Sequence, residues 1–164
     1  MLEVGAMATT GKLPGWLRPL NRVVVGLQRR GLAIGTMRVL TVEGRKSHQP
    51  RSTPVSELTV DGRRYIVGGL GAADWVKNAR AAGWGLLARG RQVERVALIE
   101  LPEAERTPIL RAFPREVPHG VGFFRRLYDL PADPAALPDA FAALAPRCAV
   151  FRVEPLSTAS DFHS

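Results

Sequence analysis

Residues 52–69 read STPVSELTVDGRRYIVGG. Two β-rich runs, Ser52–Val60 and Arg63–Gly69, flank Asp61-Gly62. Asp-Gly is a strong hairpin signal, because a tight two-residue turn needs positive φ at its central positions. The stretch therefore predicts two antiparallel strands. Before it, Thr36–Glu43 (TMRVLTVE) has the same β-branched character and predicts another strand. After it comes a glycine-rich run, Gly68–Ala73. Asp74 then reads as the N-cap of a short helix, Trp75–Ala82, which Gly83 ends. Residues 84–89 and 91–101 predict two more strands around Gly90. Pro102-Glu103 opens a helix to about Phe113, and residues 114–122 read as loop. Residues 123–129 and 134–144 have helical tendency, and Arg147–Glu154 predicts a last strand. Hairpins dominate, and the βα alternation of a doubly wound sheet is missing. The fold class expected is mainly β with α+β character. Its architecture is a split β-barrel of about six mostly antiparallel strands with flanking helices, since closure hides strand edges.

The chain has 164 residues, 46% of them hydrophobic and 23% charged, which suits a single domain with a full core. That domain is expected to span residues 15–155, between tails at 1–14 and 156–164. The lone cysteine, Cys148, excludes an internal disulfide framework and any multi-cysteine metal site; it reads as a buried small hydrophobe. No run approaches the roughly 18 apolar residues of a membrane span. No secretory signal is read at the N-terminus, so a cytoplasmic location is expected. Residues 15–32 (GWLRPLNRVVVGLQRRGL) have near-helical spacing of Trp16, Leu17, Leu20, Val24 and Leu27 among arginines. They read as a helix covering the barrel. The alternative is an interfacial helix, giving peripheral membrane contact.

Charge is unevenly distributed. Residues 1–100 carry 16 basic and 7 acidic side chains, and residues 101–164 carry 7 and 8. A basic first part implies an anionic partner. Only three of the 23 cations are lysines, at 12, 46 and 77. Nucleic acid is not expected, because aromatics total only 7% and none interleaves the basic loop.

Several standard chemistries are absent. Gly44-Arg45-Lys46-Ser47 lacks the earlier glycine of a phosphate-binding P-loop, and Gly69-Leu70-Gly71 lacks the third glycine of a dinucleotide fingerprint. There is no G-x-S-x-G elbow, and the three histidines show no i, i+4 pairing. Two segments remain. Gly44–Pro54 (GRKSHQPRSTP) gathers Arg45, Lys46 and Arg51 with Ser47, Ser52 and Thr53. Fixed cations, hydroxyls and backbone N–H groups make a cradle for phosphate or carboxylate; the residues alone equally allow a solvated basic loop. In Val67–Ala82 (VGGLGAADWVKNARAA), small residues at 68, 69, 71, 72 and 73 let a flat ligand approach the backbone. Lys77 and Asn78 follow in the helix. The same run also suits a tight strand-to-helix turn with Trp75 in the core.

The order GRKS-x-Q-PR-x-TP, DG-x-x-Y-x-V, a glycine-rich turn, then ADWVKNARAAG resembles the deazaflavin-dependent nitroreductase family. These are small split-barrel oxidoreductases of actinobacteria that use coenzyme F420, an 8-hydroxy-5-deazaflavin. The resemblance runs from about residue 15 to Pro155. It implies that Lys46 and Arg51, with Arg45 and Ser47 beside them, hold the cofactor's phosphodiester and polyglutamate tail. It implies that Thr53 and Pro54 lie along the ring side, and that Gly68, Gly69, Leu70 and Gly71 lie against the deazaflavin. Trp75 and Asn78 match the family's Trp and Asn, with Lys77 between them. The family usually has glycine where His48 stands, and a left-handed backbone there would cost histidine more.

The resemblance implies hydride transfer from reduced deazaflavin to a small-molecule acceptor: an enone, quinone or nitroaromatic. The hard chemistry is the cofactor's, so no side-chain nucleophile is required. Pro118–Tyr128 is expected to wall the acceptor with Phe123 and Phe124. Tyr128 is the candidate catalytic group, as proton donor or hydrogen-bond partner, with solvent as the alternative donor. No metal is expected, and the protein is expected to be a monomer or homodimer. An FMN-binding barrel and a non-catalytic cofactor or lipid carrier on the same fold are the competing readings.

Overall fold

The computed structural model describes residues 36–156; the helix read at 15–32, the 1–14 tail and residues 157–164 lie outside the described residues. Six strands are present: β1 (Met37–Glu43), β2 (Pro50–Val60), β3 (Arg63–Gly68), β4 (Trp84–Arg89), β5 (Gln92–Glu100) and β6 (Ala149–Pro155). Four helices accompany them: α1 (Asp74–Ala82), α2 (Glu103–Glu116), α3 (Val121–Leu127) and α4 (Leu137–Ala142). The strands close into a barrel in the order β1-β2-β3-β6-β5-β4, with every neighbouring pair antiparallel. The hairpin at Asp61-Gly62 forms as read, with φ of 51° and 77°.

Strand alternation sorts the side chains into two cores. Leu40, Val42, Val55, Ile66, Leu87, Val96, Leu98 and Phe151 fill the barrel, together with Val76 and Ala79 of α1. On the other faces of β2, β3 and β6, Leu58, Tyr65, Val67 and Val150 pack against α2, α3 and α4 through Ile109, Leu110, Phe113, Phe124 and Phe141. Helix α2 runs three residues past its expected end, through Pro114. Burial of Ile109, Leu110 and Phe113 outweighs the lost backbone bonds. Helix α3 begins inside the stretch read as loop. The N-cap of α1 is Ala73, not Asp74, and no side chain caps it.

One irregularity opens the barrel wall. β2 pairs with β1 along its upper part, Pro50–Ser56, but pairs with β3 only over Glu57–Val60. Above Glu57 the two strands part. Val67 and Gly68 of β3 then keep ladder partners only in β6. Among the described residues, no helix is long and apolar enough to cross a membrane.

Candidate functional site

The loop joining β1 to β2 is a tight turn. The Gly44 N–H donates to the Gln49 carbonyl (2.8 Å), and the His48 N–H donates to the Gly44 carbonyl (2.9 Å). Closing it requires a positive φ at His48, observed at 57°. Histidine therefore keeps the left-handed backbone usually served by glycine. Its ring lies out in solvent, 3.2 Å from Glu43 Oε2. From below, α1 secures the loop: Asn78 is buried, and its Oδ1 accepts from the Arg45 backbone N–H (3.1 Å) and from the Arg45 guanidinium (2.7 Å). Arg45 also meets Asp74 at 3.4 Å.

With Arg45 so committed, two cations are left over. Arg51 donates only to Ser47 Oγ (3.4 Å), and Lys46 has no acidic partner among the described residues. Both line a basic cleft of about 620 Å³, together with Ser47, Ser52, Thr53, Trp75 and Asn78. The Ser52 and Thr41 hydroxyls hydrogen-bond each other at 2.7 Å, tying the upper part of β2 to β1.

Thr53 and Trp75 also line a second, largely apolar cleft of about 460 Å³, which opens where β2 and β3 part. Pro54 and Ser56 form one wall, Val67–Leu70 the other, and Phe113, Phe123 and Phe124 close the far side. The two clefts thus form one groove, basic at one end and apolar at the other.

The glycine turn works differently from the sequence reading. At Gly68 an added β-carbon would lie 2.8 Å from Trp75 Cζ2; at Gly69, 3.0 Å from Phe123 and Leu127; at Gly71, 3.1 Å from the Arg147 carbonyl oxygen. The missing side chains are therefore replaced by the protein's own packing. Gly68, Gly69 and Leu70 still line the apolar cleft, whereas Gly71 is turned away and donates its N–H to Arg147 (2.9 Å). Lys77 is exposed on α1 and lines neither cleft.

Tyr128 is also placed differently. Its hydroxyl donates to the Gly69 carbonyl at 2.6 Å, and it is not among the residues lining the cleft. Burial holds its phenol above the usual range. Beneath the same carbonyl lies Cys148, whose thiol burial pushes up to about 11. It packs as the small hydrophobe expected. Sequence reasoning missed His119, which lines the apolar cleft with Nε2 2.9 Å from Thr36 Oγ1. It sits in a short turn, Pro118–Gly120, and no helical or strand period marks it.

The family model of F420H(2)-dependent quinone reductases matches residues 19–120. The chain belongs to that family. Its cofactor is coenzyme F420, and the groove fits it: Lys46 and Arg51, without acidic partners among the described residues, and the hydroxyls beside them suit an anionic tail, and apolar walls suit a flat ring. A comparison with the curated proteins gives no match. Among solved structures, a protein from Agrobacterium tumefaciens str. C58 has a TM-score of 0.51 at 12% identity, over 89% of this chain and 57% of that one. That likeness concerns the fold. An F420-H2 dependent reductase, FDR-A, has a TM-score of 0.48 at 19% identity, over 73% of this chain and 94% of that one. The family match ends at Gly120, so the aromatic wall on α3 lies beyond it.

Proposed function

We propose that this family member reduces a small apolar acceptor carrying an activated double bond, a quinone or a nitroaromatic, with reduced F420 as the electron donor. The observation that carries the reading is the groove itself, in which a basic cleft and an apolar cleft meet at Thr53 and Trp75. Bound and reduced, the deazaflavin supplies a hydride. The protein's part is binding, orientation and exclusion of water. Lys46, Arg51 and Ser47 hold the anionic tail. Arg45, pinned by Asn78, sets the shape of the loop that carries them. Trp75, packed on Gly68, and the upper strand of β2 flank the ring. The acceptor lies against Phe113, Phe123 and Phe124, where little water competes. Phe123 is half-exposed at the rim, as a closing side chain would be.

A catalyst is favoured over a carrier because the matching family is one of reductases. F420 is also favoured over FMN, whose single phosphate needs fewer cations than the loop offers. The test is a binding titration with F420 and FMN, followed by turnover of reduced F420 with a cyclic enone, a quinone and a nitroaromatic. F420 is expected to bind at least roughly tenfold tighter than FMN, about 1.4 kcal/mol. At least one acceptor class is expected to be reduced. Equal affinity for FMN, or tight F420 binding without turnover of any acceptor, would sink the reading.

A further inference from the structure

We propose that His119 delivers the proton that completes reduction of the acceptor. The inference rests on the reductase reading above and supplies the group that reading lacks. Hydride addition to an enone or quinone forms a C–H bond at the acceptor's carbon. The acceptor's π electrons move to its oxygen, leaving an oxyanion. In an apolar cleft that charge is unfavourable unless it is neutralised. An N–H bond of the His119 ring breaks as an O–H bond forms, and water then returns a proton to the ring. Counting hydride and proton together, the acceptor gains two electrons and two hydrogens, with reduced F420 as reductant.

Three observations single out His119. Among the described residues that line the apolar cleft, it is the only one with a titratable side chain; Met37, Ser56, Trp75, Phe113 and Phe123 supply none. Its ring has one partner and its backbone turn is packed in place. Nε2 lies 2.9 Å from Thr36 Oγ1, and the Pro118–Gly120 turn is pressed onto α2, where a β-carbon on Gly120 would lie 2.9 Å from Val117 and 3.0 Å from Phe113. Finally, the residue is exposed, so solvent can reload it. Of the charged groups on the elements packed around it, Arg125 of α3 donates to the Leu130 and Pro131 carbonyls, and Arg126 stands exposed on the same helix. Arg115 and Glu116 at the end of α2 pair with each other, and Glu57 of β2 pairs with Arg38 and Arg64. Tyr128, the candidate from sequence, already donates its proton to Gly69. Imidazole is the side chain whose ordinary titration range lies nearest neutrality, which suits it to shuttle a proton there.

The experiment uses the full chain with reduced F420 and the best acceptor found above. His119→Gln should lower kcat roughly tenfold or more, as loss of a general acid does, and should remove the alkaline fall from the pH profile of kcat. F420 affinity should stay within about twofold. Added imidazole should restore part of the turnover of His119→Ala. Thr36→Val should give a smaller loss, with the pH profile kept. An unchanged kcat and pH profile in His119→Gln, with wild type active, would overturn the proposal. So would a loss of F420 affinity matching the loss of kcat, which would place His119 in the cofactor pocket. If wild type reduces no acceptor, the reductase reading itself falls and takes this assignment with it.

Discussion

An added methyl at Gly68 would lie 2.8 Å from Trp75 Cζ2 and 2.9 Å from Val76 Cγ2. Val76 is fully buried in the barrel core, and Trp75 leans on Phe151 with ring centroids 6.0 Å apart. Neither can retreat freely, so Gly68→Ala should destabilise the fold by about 1–3 kcal/mol, the range for overpacking. Because Trp75 borders both clefts, the same change should weaken F420 binding. Denaturant unfolding and a fluorescence titration check the two effects separately. Lys46 and Arg51 present the converse case, with little structural duty and open charge. Lys46→Ala and Arg51→Ala should leave stability within about 0.5 kcal/mol, as surface changes do. Each should weaken F420 binding by about 1.5 kcal/mol, typical of one charge-assisted contact. Binding of a fragment without phosphate and glutamates should stay unchanged. As neighbours in one cleft, these cations were legible in the sequence because their types and spacing are themselves the signal. Tyr128, Lys77 and Gly71 were not, because a residue's type does not say which way it faces. The Tyr128 hydroxyl went to a carbonyl 59 residues away in sequence.

At the next scale, α1 is the element that joins fold to site. Val76 and Ala79 bury in the barrel, Asn78 holds the basic loop, and Trp75 borders both clefts. Its outer turn is tied to β5, where Arg80 donates to both oxygens of Glu100 at 2.6 and 2.8 Å. The Arg80 hydrogen bond is the main reason the Glu100 carboxyl is held below its ordinary value near 4.5. A carboxylate with a depressed folded pKa stabilises the fold above its unfolded pKa, and that stability fades as pH falls through the folded value. Glu100→Gln should therefore be less stable than wild type at neutral pH, by at most about 1 kcal/mol for so exposed a pair. The gap should close in acid, below about pH 4.5. Chemical unfolding of both proteins at neutral and acid pH reads this out; a gap that persists unchanged in acid would contradict it. The loop that α1 holds carries a second lesson. A left-handed backbone costs histidine more than the glycine the family usually has there, yet His48 keeps that conformation, with φ of 57°. Histidine tolerates that region better than β-branched residues do, and its side chain here faces water.

Across the whole molecule, a buried charge cluster lies outside both clefts. The strand pattern was readable because hairpin signals and alternation are local. The parting of β2 from β3 above Glu57 was not, since it depends on how six strands share one closed circuit. In that cluster, Arg64 donates to both Glu57 (3.0 Å) and Glu94 (2.8 Å), and Arg38 lies 3.8 Å from Glu57. The side chains of Arg38 and Glu57 are each only 10% exposed. Burial draws the Arg38 guanidinium below its usual range, and the nearby Glu57 carboxylate opposes that fall. Breaking a pair this buried leaves a cation facing low dielectric, which typically destabilises by 3–5 kcal/mol. Partial exposure of Arg64 moderates that here, so Glu57→Gln should destabilise by about 2–3 kcal/mol. None of the four charges lines the basic or the apolar cleft. F420 affinity and turnover, measured well below the melting temperature, should therefore match wild type while thermal and urea midpoints fall. Lost activity in a folded Glu57→Gln protein would mean that the charge cluster and the clefts are coupled through β2, whose upper half forms the cleft wall and whose Glu57 marks the point where the barrel splits.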